Sequence, residues 1–321
     1  MEQLFKVSSN PHVRDKVTTH SIMLDVILAL VPATLVGFYC FGLPAVITTV
    51  LSIATCVIAE YAWQHFMGKT VTIGDFSALL TGLLLALNLP AGCSWYIPVL
   101  GGLFAIIVVK QVFGGLGQNF MNPALGARCF LLLSFTGKMT TFISPCTYDG
   151  VTMATPLGVL KEGGYEALTQ AFTVKQMFIG TIPGTIGEVS AIALILGGAY
   201  LVWKKVISIR IPAAYIITFA VCILLFGGHG LDLNFLAMHL FGGGLMLGSI
   251  FMATDYVTSP ITDNGKLVFG CCAGLLTAIF RLFGSGAEGV SYAIIISNLL
   301  VPLIEKYTMP TAFGMAKKGG K

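Results

Sequence analysis

Long apolar runs, separated by short polar or glycine-rich turns, fill the chain from residue 22 to residue 305. A helix needs about 20 apolar residues to cross a hydrocarbon layer about 30 Å thick. Runs at 22–41, 44–63, 76–92, 95–113, 188–203, 210–227, 235–253, 267–284 and 288–305 meet or approach that length. A tenth, at 123–136, is short and carries Arg128. The pattern predicts an all-α polytopic membrane protein with about ten transmembrane helices, some short or broken, and one long extracytoplasmic loop. It divides into an N-terminal five-helix half (1–136), that loop (137–187) and a C-terminal five-helix half (188–321).

Composition agrees with the pattern. Of 321 residues, 56% are hydrophobic and 10% charged, against about 25% charged in soluble domains. So little charge excludes a cytosolic enzyme, a disordered chain and a nucleic-acid binder. The first 21 residues are polar, and the first apolar run is expected to stay as an anchor rather than be cleaved.

Placement of the cations decides between nine spans and ten. With ten spans and a cytoplasmic N-terminus, thirteen cations fall inside: Lys6, Arg14, Lys16, Lys69, Lys110, Lys204, Lys205, Arg210, Lys266, Lys306, Lys317, Lys318 and Lys321. Only Lys138, Lys161 and Lys175 fall outside, while Arg128 and Arg281 lie within spans. That asymmetry follows the positive-inside rule. Both termini are therefore expected in the cytoplasm, with the membrane a bacterial cytoplasmic (inner) one. The long loop repeats apolar residues (Tyr148, Leu157, Val159, Leu160, Tyr165, Phe172, Met177), which predicts order. The echo between Phe113-Gly114-Gly115 and Phe241-Gly242-Gly243 is read as helix packing through small residues. The eight cysteines contain no Cys-x-x-Cys spacing, so no metal site is expected in this chain.

Three segments could carry chemistry. In the first, Phe113-Gly114-Gly115-Leu116-Gly117-Gln118-Asn119-Phe120-Met121-Asn122-Pro123, glycines end one helix and Asn122-Pro123 start the next as N-cap and N1. Such a start is tolerated at membrane depth only where protein buries it or it lines a cavity. The Asn119 and Asn122 carboxamides could grip a planar polar ligand, with Arg128 nearby; a plain re-entrant turn with a snorkelling arginine fits equally well. The second, Met252-Ala253-Thr254-Asp255-Tyr256, places a rare carboxylate near membrane depth, and Asp255 is either an ion-path candidate or a locally satisfied turn residue. The third, Asp149-Gly150-Val151-Thr152-Met153-Ala154-Thr155-Pro156, reads as a turn followed by extended chain.

These segments resemble the family that contains the D subunit of the Rnf complex and the B subunit of the sodium-pumping NADH:quinone oxidoreductase. The resemblance covers essentially the whole chain, and the overall length is closer to the Rnf D subunits. It implies FMN joined through a phosphoester to Thr155, within a pattern matched by Asp149, Gly150 and Thr152; Met153 stands where the pattern more often has a small residue. The second Met-Ala-Thr, at Thr254, lacks the Asp-Gly start and is rejected as an attachment site. The resemblance further implies a second, non-covalent flavin (riboflavin or FMN), for which Asn119, Asn122, Arg128 and Asp255 are candidates. It implies partners as well: a second flavinylated subunit, iron–sulfur subunits and a flavin transferase. No catalytic residue is assigned, because no nicotinamide-binding fingerprint follows a strand. The expected role is electron transfer in a ferredoxin:NAD+ oxidoreductase that moves Na+ or H+. A secondary transporter without flavin and a structural anchor for redox partners are the alternatives.

Overall fold

The computed structural model describes residues 17–146, 151–284, 286 and 289–310. Lys6, Arg14, Lys16, Lys317, Lys318, Lys321, Tyr148, Asp149 and Gly150 lie outside those residues. Each of the ten apolar runs is helical. Helices α1 (Thr19–Phe41), α2 (Leu43–Phe66), α3 (Ser77–Leu87), α4 (Tyr96–Leu103) and α5 (Pro123–Ser134) form the first half, and α4 continues as a π-helix over Phe104–Gln111. A middle segment follows, made of α6 (Thr136–Met139), the strands β1 (Phe142–Ile143) and β2 (Thr152–Met153), α7 (Pro156–Ala171) and α8 (Val174–Ile179). The second half is α9 (Ala191–Trp203), α10 (Arg210–Phe226), α11 (Leu233–Phe241), α12 (Leu245–Leu247), α13 (Asp263–Phe283) and α14 (Val290–Thr308). The short α12 runs on as a π-helix over Gly248–Met252.

Among the described residues, four helices (α1, α2, α13 and α14) are long and apolar enough to cross a membrane alone. A fifth such unit is the pair Leu233–Phe241 and Leu245–Met252, bent by 67° at the glycines between them. Others are shorter: α3 has 11 residues and α5 has 12, or about 16–18 Å at 1.5 Å per residue.

Local sequence explains where the elements begin. Thr18 and Ser21 form a capping box at the start of α1, satisfying two otherwise orphaned backbone donors. Asn122 caps α5, accepting from the backbone of Ala124 at 3.0 Å and Leu125 at 3.4 Å, with Pro123 at the first helical position. Close approach of helices relies on small residues. A Cβ on Gly82 of α3 would lie 2.7 Å from the backbone of Ile53 in α2, and one on Gly274 of α13 would lie 2.5 Å from the Tyr215 carbonyl oxygen in α10. The Phe-Gly-Gly echo has a different basis from the expected packing. Gly114 (φ 126°), Gly115 (φ 102°) and Gly243 (φ 70°) take left-handed backbone, so both copies are helix-ending turns.

The middle segment has its own order. Phe142 pairs with Met153 and Ile143 with Thr152 in an antiparallel hairpin, so a small β element interrupts the expected all-α chain. Leu168, Phe172, Met177 and Ile182 pack with Met238 of α11 into a second apolar core. Helix ends and turns from elsewhere in the chain lie against this segment: the Cys40 carbonyl accepts from the Cys146 backbone, Tyr165 reaches Asp232, and Lys161 donates to the Gly284 carbonyl. At the other end of α1, Ile22 and Val26 share a pocket with the starts of α3 and α5, the end of α9 and residues 254–257. The bundle therefore has a pocket end and a loop end. Ile22 to Cys40 of α1 spans about 27 Å between them.

Candidate functional site: a pocket at one end and a capped threonine at the other

The pocket end is assembled by interrupted helices. Glycine turns after the α4 π-helix bring Asn119 and Asn122 beside Thr254 and Asp255, which follow the π-helix of the α12 segment. Walls of Ile22, Leu80, Leu84, Leu116 and Phe251 surround those few polar groups. Apolar walls with a few placed polar groups suit a planar aromatic ligand.

The polar groups differ in how free they are. Asn122 is committed to the fold: its oxygen caps α5, and its Nδ2 donates to the Met252 carbonyl at 3.3 Å. Asn298 of α14, its amide oriented by the same network, accepts from the Asn122 backbone at 3.3 Å and donates to the Thr258 carbonyl at 3.2 Å. The segments around Asn122 and Asp255 therefore face each other. Asn119 donates to the Met121 carbonyl at 3.1 Å, which leaves its oxygen for a ligand. The Asp255 carboxylate accepts from the Thr258 hydroxyl at 3.1 Å and is half-buried.

One residue of this pocket, Lys110, and its partner Glu60 went unrecognised in the sequence. Lys110, expected as a cytoplasmic loop cation, is 2% exposed within the π-helix. Its ammonium donates to Glu60 at 2.8 and 3.0 Å and to Ser77 at 2.6 Å. Gln111 and Gln64 also donate to Glu60, at 3.0 and 3.2 Å. The apolar helix could not solvate that charge, so a fully bonded pair replaces water. The available signal was one carboxylate in the second apolar run and one lysine in the fourth.

Arg128 lies elsewhere. From the second turn of α5 it donates to the Asn88 side chain at 2.5 Å and pairs with Glu188 at 3.4 Å, both buried. Asn88 ends α3 and Glu188 precedes α9. A Cβ on Gly244, at the bend before α12, would lie 2.6 Å from the Glu188 carboxylate. Three interruptions thus meet around one guanidinium, away from the pocket lining. Non-helical backbone at this depth is viable because protein buries it.

At the loop end, Thr155 caps α7. Its extended backbone (φ −66°, ψ 157°) turns the hydroxyl to accept from the Gly158 backbone at 3.2 Å, with Pro156 at the first helical position. Thr155 is half-buried and Thr152 is exposed on β2; the expected neighbours Asp149 and Gly150 lie outside the described residues. Leu157 packs where a Cβ on Gly243 would sit, 2.6 Å from its Cδ1. That contact seats the first turn of α7 over the α11–α12 bend. Tyr165 of α7 donates to Asp232 at 2.8 Å, and Asp232 caps α11 through Asn234 and Phe235. That hydrogen bond holds the Asp232 carboxyl below its usual range. Thr155 and the Asn119–Asp255 pocket therefore belong to opposite ends, joined by the α12 segment, which begins beside Leu157 and ends at Met252.

Comparison with known proteins places this architecture. The chain is 46% identical over 314 residues, 97% of its length and 96% of the relative's, to the D subunit of the Na(+)-translocating ferredoxin:NAD(+) oxidoreductase complex of Acetobacterium woodii. It is 43% identical, over 98% of its length and 97% of the relative's, to the D subunit of the proton-translocating ferredoxin:NAD(+) oxidoreductase complex of Clostridium ljungdahlii. The D subunit of an ion-translocating oxidoreductase complex of Escherichia coli is 33% identical over 98% of this chain and 99% of its own. Residues 6–314 match the family described as NQR2, RnfD, RnfE, and the chain belongs to that family.

Proposed function

We propose that the chain is a membrane electron-transfer subunit of an ion-translocating ferredoxin:NAD+ oxidoreductase of the Rnf type, not catalytic alone. The observation that carries this is near-complete alignment with relatives named as such subunits. Those two relatives are almost equally similar to this chain and are named for different cations, so the proposal covers Na+ or H+. The ten helical runs would each cross a bacterial inner membrane, with both termini cytoplasmic, the pocket end facing the cytoplasm and residues 137–187 outside. Partners would be a second flavinylated subunit, iron–sulfur subunits and a flavin transferase.

FMN would be esterified through its phosphate to Thr155, within the segment Asp149, Gly150, Thr152. The geometry supports this reading. Thr155 is half-buried, and a phosphate on it would lie at the N-terminus of α7, whose first stretch is helical up to a break at Gly164, where free N–H groups and the dipole favour an anion. Bound there, the flavin supplies one- and two-electron redox chemistry; the chain supplies the tether and the local field. The pocket would hold the second flavin, riboflavin or FMN. Asn119 is its best-supported ligand, Asn122 shapes the wall, and Arg128 serves the mid-bundle interruptions instead.

In-gel flavin fluorescence of the denatured chain, produced in its native host beside Thr155→Val, tests the attachment. The wild-type band should fluoresce and the Thr155→Val band should be dark. A dark wild-type band, with transferase expression confirmed, would favour a transporter or a structural anchor and overturn the proposal. Asp255, at the pocket beside Asn122, is proposed for the ion path. Asp255→Asn should abolish ion uptake by vesicles while leaving flavin content within about twofold; normal flux would remove Asp255 from the path.

A further inference from the structure

Two cysteines meet where the last turn of α1 touches the hairpin that leads into Thr155. Cys146 donates its backbone N–H to the Cys40 carbonyl at 2.7 Å, and the two thiols lie close enough to interact electrostatically. Standard bond lengths then keep the two Cα atoms within roughly 6.6 Å, inside the range of about 4.4–6.8 Å that a disulfide spans. Cys146 holds a left-handed backbone, φ 57°, uncommon for a residue with a Cβ. The pair is chemically asymmetric. Cys146 is exposed, whereas Cys40 is buried with its sulfur also against the Gly180 carbonyl at 3.6 Å. Among the described residues no group of three or more His, Cys, Asp or Glu gathers as metal ligands, so the arrangement is a dithiol.

We propose that Cys40 and Cys146 form a reversible disulfide that ties the β1–β2 hairpin, and hence the approach to Thr155, to the end of α1. The access it needs rests on the proposed extracytoplasmic placement of residues 137–187, a compartment where disulfides form and persist. The oxidant is a disulfide-bearing exchange partner. The exposed Cys146 thiolate attacks one sulfur of that disulfide, forming a mixed disulfide and releasing one partner thiol. The Cys40 thiolate then attacks the Cys146 sulfur, forming the internal S–S bond and releasing the second thiol. The two cysteines lose two electrons and two protons, and the partner's disulfide gains both as two thiols. Burial of Cys40 leaves only its neighbour within reach for the second step, and it makes that step the slower one because burial disfavours the attacking thiolate. With the bond closed, the Cys146 turn of the hairpin is tied covalently to α1; with it open, the Cys146–Cys40 backbone hydrogen bond remains at that contact.

Membranes carrying the assembled complex, quenched in acid, alkylated with iodoacetamide and digested without reductant, provide the test. A Cys40–Cys146 linked peptide is expected; its fraction should rise with oxidised glutathione and fall to nothing with dithiothreitol. In Cys40→Ser, oxidised glutathione should leave Cys146 as a mixed disulfide. In Cys146→Ser, it should leave the buried Cys40 as a free thiol, a difference that simple proximity of two unreactive thiols does not produce. Full alkylation of both cysteines and no linked peptide at saturating oxidised glutathione would overturn the proposal. The topological reading is judged separately, by an impermeant maleimide on Cys146 in the Cys40→Ser complex. Labelling confined to right-side-out vesicles supports extracytoplasmic access. Labelling confined to inside-out vesicles overturns that access, while the linked peptide, assayed in detergent, still decides whether the pair can close.

Discussion

Lys110 and Glu60 show how depth changes what a charged residue does. At a loop end a lysine is solvated and reports topology; inside the π-helix the Lys110 ammonium is 2% exposed and depends on Glu60, 1% exposed. Removing one partner of a buried pair leaves an uncompensated charge, which typically costs about 3–5 kcal/mol, whereas replacing both with apolar residues of similar volume is often neutral. Glu60→Ala should therefore lower the heat-denaturation midpoint of the detergent-solubilised chain sharply, and Glu60→Met with Lys110→Met should recover most of the loss. Equal losses in the single and double variants would mean that the surrounding network of Gln64, Gln111 and Ser77, rather than charge pairing, holds this region. No periodicity encodes the pair: Glu60 and Lys110 sit in different apolar runs, and only the packing of α2 against the α4 π-helix brings them together. By contrast, Asn122-Pro123 declares its helix cap in two adjacent letters, because a cap is a local interaction.

Among the elements, α7 matters most for the proposed chemistry, because it positions Thr155 through its own cap and through two contacts at its sides. Leu157 rests on the α11–α12 bend, and Tyr165 donates to the carboxylate that caps α11. Because the Asp232 pKa is depressed, the stabilisation it provides is present above the unfolded carboxylate value of about 3.9 and is lost as pH falls through the lower folded value. Tyr165→Phe should thus raise hydrogen exchange in 156–171 several-fold over wild type between about pH 6 and 8. Once pH falls below the depressed Asp232 value, under about 4, the two proteins should converge. A variant-to-wild-type difference that persists in strong acid would assign the latch to packing of the phenol ring. The sequence up to Pro156 reads only as a turn and extended chain, so the helix that starts there goes unseen in it, although the loop's recurrent apolar residues do signal order. The hairpin was less visible, since strands of two residues each carry almost no alternation. The two Phe-Gly-Gly stretches were misread because glycine serves both close helix packing and left-handed turns, and φ alone tells them apart.

Across the whole molecule, helix length and helix direction give different impressions of the same bundle. Taken singly, α3 and α5 are about half a bilayer long, and among the described residues only four helices and one bent pair are long and apolar enough to cross. Yet the pocket gathers the starts of α1, α3 and α5 with the ends of α9 and of the π-helices after α4 and α12. Successive helices therefore alternate in direction, and extended chain completes the short ones, as residues 88–91 do after α3, where Pro90 bridges Thr185 and the Leu89 carbonyl accepts from Ile186. Polar backbone at such depth is paired within the protein, so a half-length helix can still belong to a full crossing. In the sequence, charge asymmetry favoured ten spans where run length alone left nine and ten in competition. Single cysteines at Lys69, after α2, and at Lys175, in α8, decide the matter in a background with the exposed Cys146 and Cys271 replaced by serine. Ten spans would put three crossings between those positions. Lys69→Cys should react with an impermeant maleimide only in inside-out vesicles, and Lys175→Cys only in right-side-out ones. Reaction of both from the same face would mean that the stretch from α3 to α5 crosses an even number of times. One of its short helices would then be re-entrant, and the pocket and Thr155 would no longer be on opposite faces of the membrane.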